Sequence, residues 1–133
     1  DLYQDLSEYA ISLGSAFQKV NFLRDLKDDS NILKRVYFRN IDMERFDENS
    51  KLEIIKEIEV DFENALNGIA KLPKNSKFAV YIAYRYYIKL LKKLKRTSSE
   101  NIVKNRVRIH NYQKIAVIAR SYIKYQLNLI QWI

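Results

Sequence analysis

The helical fold is predicted by the stretch Gln18-Lys19-Val20-Asn21-Phe22-Leu23-Arg24-Asp25-Leu26-Lys27-Asp28-Asp29, in which polar and apolar residues recur with a helical period. At 3.6 residues per turn, positions three or four residues apart stack on one side of a helix. One face would therefore carry amide and carboxylate groups, from Gln18, Asn21, Asp25 and Asp29. The stretch indicates an amphipathic helix with oxygen ligands collected along one side.

The carboxylates of this face are unfavourable for the helix itself. Asp25 and Asp29 form a like-charge i,i+4 pair, which costs about 0.2–0.5 kcal/mol. They also precede Ser30-Asn31, where the helix should end, and negative charge there opposes the helix dipole by about 0.3–1 kcal/mol. A Mg²⁺ ion would reverse both effects, because oxygen ligands one turn apart can share it while water and phosphate oxygens fill its other positions. The alternative is a solvated acidic helix end neutralised by Arg24 and Lys27, and periodicity alone leaves both open.

Composition sets the fold class and excludes several kinds of site. A chain of 133 residues suits one domain, and two glycines with one proline favour an all-α protein over a turn-rich β protein. The chain has no cysteine and one histidine, which excludes disulfides, thiolate metal sites and histidine clusters. It begins with an acidic segment at Asp1, which we interpret as a cut from a longer protein rather than a signal peptide.

Charge is distributed unevenly along the chain. Residues 1–70 carry 15 acidic and 9 basic side chains, whereas residues 71–133 carry 1 acidic and 15 basic side chains. Such asymmetry is typical of a surface that meets nucleic acid or an anionic membrane. It is equally compatible with two complementary halves of a bundle, or with a basic wall that faces polyphosphate.

Apolar spacing predicts several helices separated by short breaks. The second of these should start at Ser50, where Ser50-Lys51-Leu52-Glu53 has the form of a capping box, and should bury Leu52. The stretch between the first two helices is a candidate ligand loop. The predicted helices cover 2–27, 50–72, 76–95, 99–109 and 112–130.

The stretch from Leu13 to Asp29, followed by Lys34-Arg35-Val36-Tyr37-Phe38, resembles the second aspartate motif of the squalene/phytoene synthase family. In that motif a Gln and an Asn precede D-x-x-x-D, and a short loop carries an Arg and a Tyr. The blocks 58–62, 69–73, 83–87 and 106–111 are also similar to the C-terminal helices of the family. The resemblance implies an all-α helical bundle, with residues 1–133 forming a single segment that corresponds to the C-terminal part of the isoprenoid synthase fold.

The resemblance also implies roles for individual residues. Asp25 and Asp29 would be catalytic and would hold Mg²⁺, or Mn²⁺ in its place, against a diphosphate. The substrate would be bound by a set of amide, guanidinium and phenol groups, from Gln18, Asn21, Arg35 and Tyr37. The aromatic side chains of Phe17, Phe22 and Tyr87 would line the prenyl tails or belong to the core.

The implied activity is that of a prenyl transferase that joins two prenyl diphosphates, farnesyl or geranylgeranyl, head to head in isoprenoid or carotenoid biosynthesis. NADPH would enter only in a squalene-type reaction. The family's first aspartate motif is missing, since Asp1 and Asp5 lie about 30 Å along the same helix from Asp25. We therefore expect this chain to be inactive alone and to pair with a missing N-terminal half or with itself.

The alternative function is a non-enzymatic basic helical module that binds an anionic membrane surface, nucleic acid or a partner helix. The run Lys92-Lys93-Leu94-Lys95-Arg96 is its main support. Such lysine runs are usually the solvated face of an amphipathic helix, so we do not expect nucleic acid as a partner. No apolar stretch of 18 residues occurs, and we expect a cytoplasmic protein with peripheral membrane contact as an option.

Overall fold

The described residues form a bundle in which three long helices and one short helix can be delimited. The computed structural model describes residues 2–26, 38, 41, 45–109, 114, 117, 118 and 120. No strand occurs among these residues, which confirms the all-α prediction. The helices are α1 Leu2–Arg24, α2 Glu48–Ala70, α3 Lys74–Arg96 and α4 Ser99–Lys104.

Helices α1 and α2 run antiparallel and make the most extensive contact in the bundle. Lys19 meets Asp61 near one end of this pair, and Lys71 of the α2–α3 turn meets Tyr9 near the other. Helix α3 returns alongside both, parallel to α1. The core between the three helices is formed by aliphatic and aromatic side chains that are almost completely buried, including Val20, Leu23, Ile54, Ile58, Phe62, Tyr81, Leu90 and Leu94.

One contact between α1 and α2 requires a glycine. A Cβ atom added to Gly68 would lie 2.2 Å from the Cβ atom of Tyr9, a distance that real side chains do not reach. The absence of a side chain at Gly68 therefore lets the two helices approach closely. By contrast, a Cβ atom on Gly14 would have no neighbour within 4 Å.

Helix α2 begins earlier than the capping box predicts. Its N-cap is Asp47, whose carboxylate accepts a hydrogen bond from the backbone N–H of Ser50 at 2.9 Å. Aspartate is as good an N-cap as serine. The buried side of α2 runs through Lys51, Ile54, Ile55 and Ile58, and Leu52 lies off that stripe. The prediction that Leu52 is buried was wrong, since its exposure is 51%, whereas Lys51 beside it is buried.

Helices α1 and α4 both end earlier than the apolar spacing predicts. Helix α1 stops at Arg24 rather than Lys27, and Asp25 lies in the turn that follows. Helix α4 stops at Lys104 rather than Ile109, because the chain becomes extended at Asn105. These two ends are joined, since the backbone N–H of Val107 donates to the carbonyl oxygen of Arg24 at 3.1 Å.

The extended segment that follows α4 is held by its apolar side chains. Val107 and Ile109 are buried, whereas Arg106 and Arg108 are exposed, as expected for alternate residues of an extended chain. Of the last predicted helix, 112–130, Lys114, Val117, Ile118 and Arg120 are described, and all four are helical. Within the described part of the chain, no helix has the length and apolar content needed to cross a membrane.

Candidate functional site

The residues predicted to form a site lie along the C-terminal half of α1. Gln18 is exposed, whereas Asn21 and Asp25 are half-buried. Asn21 lies one turn before Asp25, which continues the same side of the chain just past the helix end. The predicted residues Asp29, Arg35 and Tyr37 lie outside the described residues, and their roles stay predictions.

Asn21 is oriented by a tyrosine from α3. Its amide nitrogen donates to the hydroxyl oxygen of Tyr87 at 3.1 Å, and the same hydroxyl lies 3.3 Å from the amide oxygen. The Tyr87 ring in turn stacks on Phe17, with ring centroids 4.2 Å apart and planes inclined by 20°. The amide is thereby held at the edge of an aromatic pair, one helical turn from the Asp25 carboxylate.

An aromatic contact fixes a point of the predicted ligand loop against α1. Phe38 has an exposure of 2%, and its ring packs edge-on against Phe22 with centroids 6.4 Å apart. Its carbonyl oxygen accepts from the backbone N–H of Ile41 at 3.1 Å, which forms a turn. Phe38 therefore packs against α1 at Phe22.

A buried ion pair fixes the rotation of α1 relative to α2. The Lys19 ammonium lies 2.8 Å from a carboxylate oxygen of Asp61 and 3.6 Å from a carboxylate oxygen of Glu57. The same Asp61 oxygen accepts from the Ser15 hydroxyl at 3.1 Å. Because Lys19 points toward α2, Gln18 and Asn21 are turned away from that interface.

Cationic groups cluster where α1 ends. Arg24 lies at the helix end, and its Nε atom is buried without a hydrogen-bond partner among the described residues. The hydrogen bond from Val107 to the Arg24 carbonyl brings the exposed Arg106 and Arg108 to the same helix end. Among the described residues, the end of α1 thus combines the Asp25 carboxylate with the positive charges of Arg24, Arg106 and Arg108.

The wall next to the aromatic pair is apolar and uncharged. Burial raises the pKa of both Tyr81 and Tyr84, so both phenols stay neutral at physiological pH. The Tyr81 hydroxyl is fully buried and finds no hydrogen-bond partner in the described part of the chain. A cleft of about 150 Å³ continues along the N-terminal half of α1, and its apolar lining includes Leu6, Leu13, Ala65, Ile69 and Val80.

The described residues offer few side chains that could bind a metal ion. The residues given above contain no group of three or more His, Cys, Asp or Glu side chains that could hold a metal ion. A Mg²⁺ site in a phosphate-binding enzyme needs only one or two carboxylates, since water and phosphate oxygens supply the other ligands. Asp25, with the Asn21 amide one turn away, fits that smaller requirement.

The sequence predicts the polar face of α1 but not the side-chain contacts that position α1 against the other helices. The Asn21–Tyr87 contact and the Lys19–Asp61 pair both join helices far apart in the sequence. A signal for the second was present, because Lys19 interrupts the apolar side of α1 between buried Ala16 and Leu23. A lysine at such a position needs a carboxylate partner across the interface.

The chain was compared with known families, curated proteins and solved structures. The family model described as squalene/phytoene synthase matches residues 2–113, which is most of the chain. No curated protein and no solved structure matches.

Proposed function

The chain belongs to the squalene/phytoene synthase family of prenyl-transferring, all-α isoprenoid synthases, and we propose that the C-terminal end of its α1 binds the diphosphate group of a prenyl diphosphate. The reaction would be the head-to-head condensation of two such substrates. The observation that supports it most is the placement of Asn21 and Asp25 one turn apart, with the Asn21 amide held by Tyr87.

The cofactor follows from the chemistry of the leaving group. Asp25 and Asp29 would hold Mg²⁺, or Mn²⁺ in its place, which would supply positive charge to the departing diphosphate. Arg35 and Tyr37 are proposed to contact phosphate oxygens. Gln18 and Asn21 have neutral amides. Their N–H groups can donate hydrogen bonds to phosphate oxygens.

The chain's own residues suit the carbocation that forms when diphosphate leaves. The rings of Phe17 and Tyr87 stack on each other, so the inner face of each ring is covered, and the pair forms an uncharged aromatic wall whose edge lies at Asn21. The chain contains no cysteine that could trap the cation. The apolar cleft that includes Leu13 begins about 12 Å along α1 from Asn21, which is within reach of a prenyl tail.

Calorimetric titration with a non-hydrolysable farnesyl diphosphate analogue tests the proposal. We expect the parent chain to bind the analogue only when Mg²⁺ is present, and Asp25→Asn to weaken this binding about tenfold or more. Asp5→Asn is the matched control, because it removes an exposed carboxylate from the same helix about 30 Å away. Binding that depends on neither Mg²⁺ nor Asp25 would contradict the proposal and favour a non-enzymatic module.

A further inference from the structure

The C-terminal half of α3 presents an unbroken row of cations. Helix α3 contains no aspartate or glutamate, and five of its eight cations recur at i, i+4, i+7, i+8 and i+11, which keeps these five on one side over about 16 Å. The opposite side faces the core through buried Tyr84, Leu91 and Leu94. The row consists of Arg85, Lys89, Lys92, Lys93 and Arg96.

The extended segment after α4 adds to this row. The Lys93 ammonium donates to the carbonyl oxygen of Arg108, which brings the exposed Arg108 beside α3. Lys114 adds a further cation nearby, with its ammonium 5.9 Å from the ring centroid of Tyr86. We call the α3 row together with Arg106, Arg108 and Lys114 the basic surface.

The charges of the basic surface are not neutralised within the described part of the chain. The ion pairs found there use other cations, such as Lys95 with Glu59 and Lys104 with Glu100. In addition, Arg96 donates to the carbonyl oxygen of Lys92, and no carboxylate lies within ion-pair distance of either side chain among the described residues. A row of uncompensated cations of this density fits an extended anionic surface rather than one bound phosphate.

Exposed apolar residues that lie close in sequence to the basic surface distinguish between two kinds of anionic partner, a membrane and a nucleic acid. Val103 and Ile118 are 43% and 50% exposed. Val103 lies three residues before Arg106, and Ile118 lies four residues after Lys114. Aliphatic side chains among cations suit the boundary between lipid headgroups and acyl chains. Single-stranded nucleic acid instead selects exposed aromatic rings for base stacking, and the large apolar side chains exposed in the described residues are all aliphatic.

We propose that the basic surface docks the chain peripherally on membranes that contain anionic phospholipids. The cations of α3 and of the 106–108 segment would contact lipid phosphates, while Val103 and Ile118 would enter the headgroup boundary. This docking uses neither Asp25 nor a divalent cation. It therefore stands or falls separately from the proposed diphosphate site.

Vesicle co-sedimentation tests the docking. The probes are phosphatidylcholine vesicles with and without about one-third phosphatidylglycerol, at about 0.1 M and about 0.5 M salt. We expect binding only to the anionic vesicles, weakened by salt. The triple variant Lys92→Gln/Arg96→Gln/Arg108→Gln should lower the partition coefficient about 10- to 100-fold, since each cation near an anionic membrane contributes severalfold.

The matched control removes the same charge from another part of the bundle. The triple variant Lys56→Gln/Lys71→Gln/Lys74→Gln neutralises exposed lysines of α2, of the α2–α3 turn and of the start of α3. It should change vesicle binding by less than about threefold, because charges beyond a Debye length are screened. Circular dichroism melts of both variants establish that the bundle is intact. Asp25→Asn should bind vesicles like the parent.

Three results would overturn the docking. Equal loss in both triple variants would show that net charge acts rather than this surface. Undiminished binding to pure phosphatidylcholine would remove the need for anionic lipid. The third result is that the chain binds polyuridylate more tightly than anionic vesicles at equal phosphate concentration. If the triple variant Lys92→Gln/Arg96→Gln/Arg108→Gln lost that binding, the surface would be assigned to nucleic acid instead.

Discussion

The amide nitrogen of Asn21 lies 3.1 Å from the hydroxyl oxygen of Tyr87, which joins α1 to α3 one turn before Asp25. An isolated asparagine on a helix surface would sample several rotamers. The tyrosine restricts this one, and the stacking of Tyr87 on Phe17 restricts the tyrosine in turn. The amide proposed to face the diphosphate is therefore positioned by the bundle before any ligand arrives.

Tyr87→Phe should weaken Mg²⁺-dependent binding of the prenyl diphosphate analogue about 3- to 10-fold, which corresponds to the loss of one net hydrogen bond. The ring and its stacking on Phe17 are retained, so only the orientation of Asn21 is released. Calorimetric titration measures the effect. Tyr86→Phe is the control, because Tyr86 packs edge-on against Tyr87 without contacting Asn21 through its hydroxyl. Equal effects of both variants would contradict a positioning role for Tyr87.

Lys19→Met should destabilise the bundle by about 2–4 kcal/mol, because it leaves the Asp61 carboxylate without its cation and with only the Ser15 hydroxyl as a partner. The Asp61 side chain is 22% exposed, so water offsets part of the loss. Chemical denaturation monitored by circular dichroism gives the free energy of unfolding. Lys56→Met, at an exposed position of α2, should change it little. An unchanged stability in Lys19→Met would show that the ion pair does not hold α1 against α2.

Gly68→Ala and Gly14→Ala should act in opposite directions. The new methyl group at position 68 would collide with Tyr9, and overpacking of this kind costs about 1–3 kcal/mol. At position 14 the methyl group meets nothing, and alanine improves helix propensity by up to about 1 kcal/mol. Thermal melts of the two variants test the close approach of α1 and α2. A stabilising Gly68→Ala would mean that the helices lie farther apart.

Asp47→Ala should lower the melting temperature at neutral pH, because the helix α2 loses its N-cap. Hydrogen bonds from Ser50 hold the pKa of Asp47 below its ordinary value of 3.8. A lowered pKa stabilises the folded state above the unfolded pKa, and this contribution disappears as the pH falls through the folded value. The difference between parent and Asp47→Ala should therefore shrink below about pH 3.8. Asp47→Asn retains an acceptor without the titrating charge, and its difference from Asp47→Ala should not depend on pH in this range.

Local patterns in the sequence were sufficient to predict the three long helices and the polar face of α1. Apolar residues with a 3.6-residue period predict α1, α2 and α3, since each helix buries one side against its neighbours. The same period collects Gln18, Asn21 and Asp25 on α1. The prediction was wrong at several helix ends, because an end depends on which group takes the last backbone hydrogen bonds. Asp47 and Val107 are such groups, and periodicity does not identify either of them.

What the sequence by itself determined is the fold class, the family and the polar face of one helix. Only the tertiary structure decided that Tyr87 holds Asn21, that Asp61 neutralises Lys19 and that Val107 closes the end of α1. The partners in these contacts are 42 or more positions apart along the chain. Helical periodicity relates residues within a few turns, whereas such pairs form only when burial of the apolar faces has fixed the helices against one another.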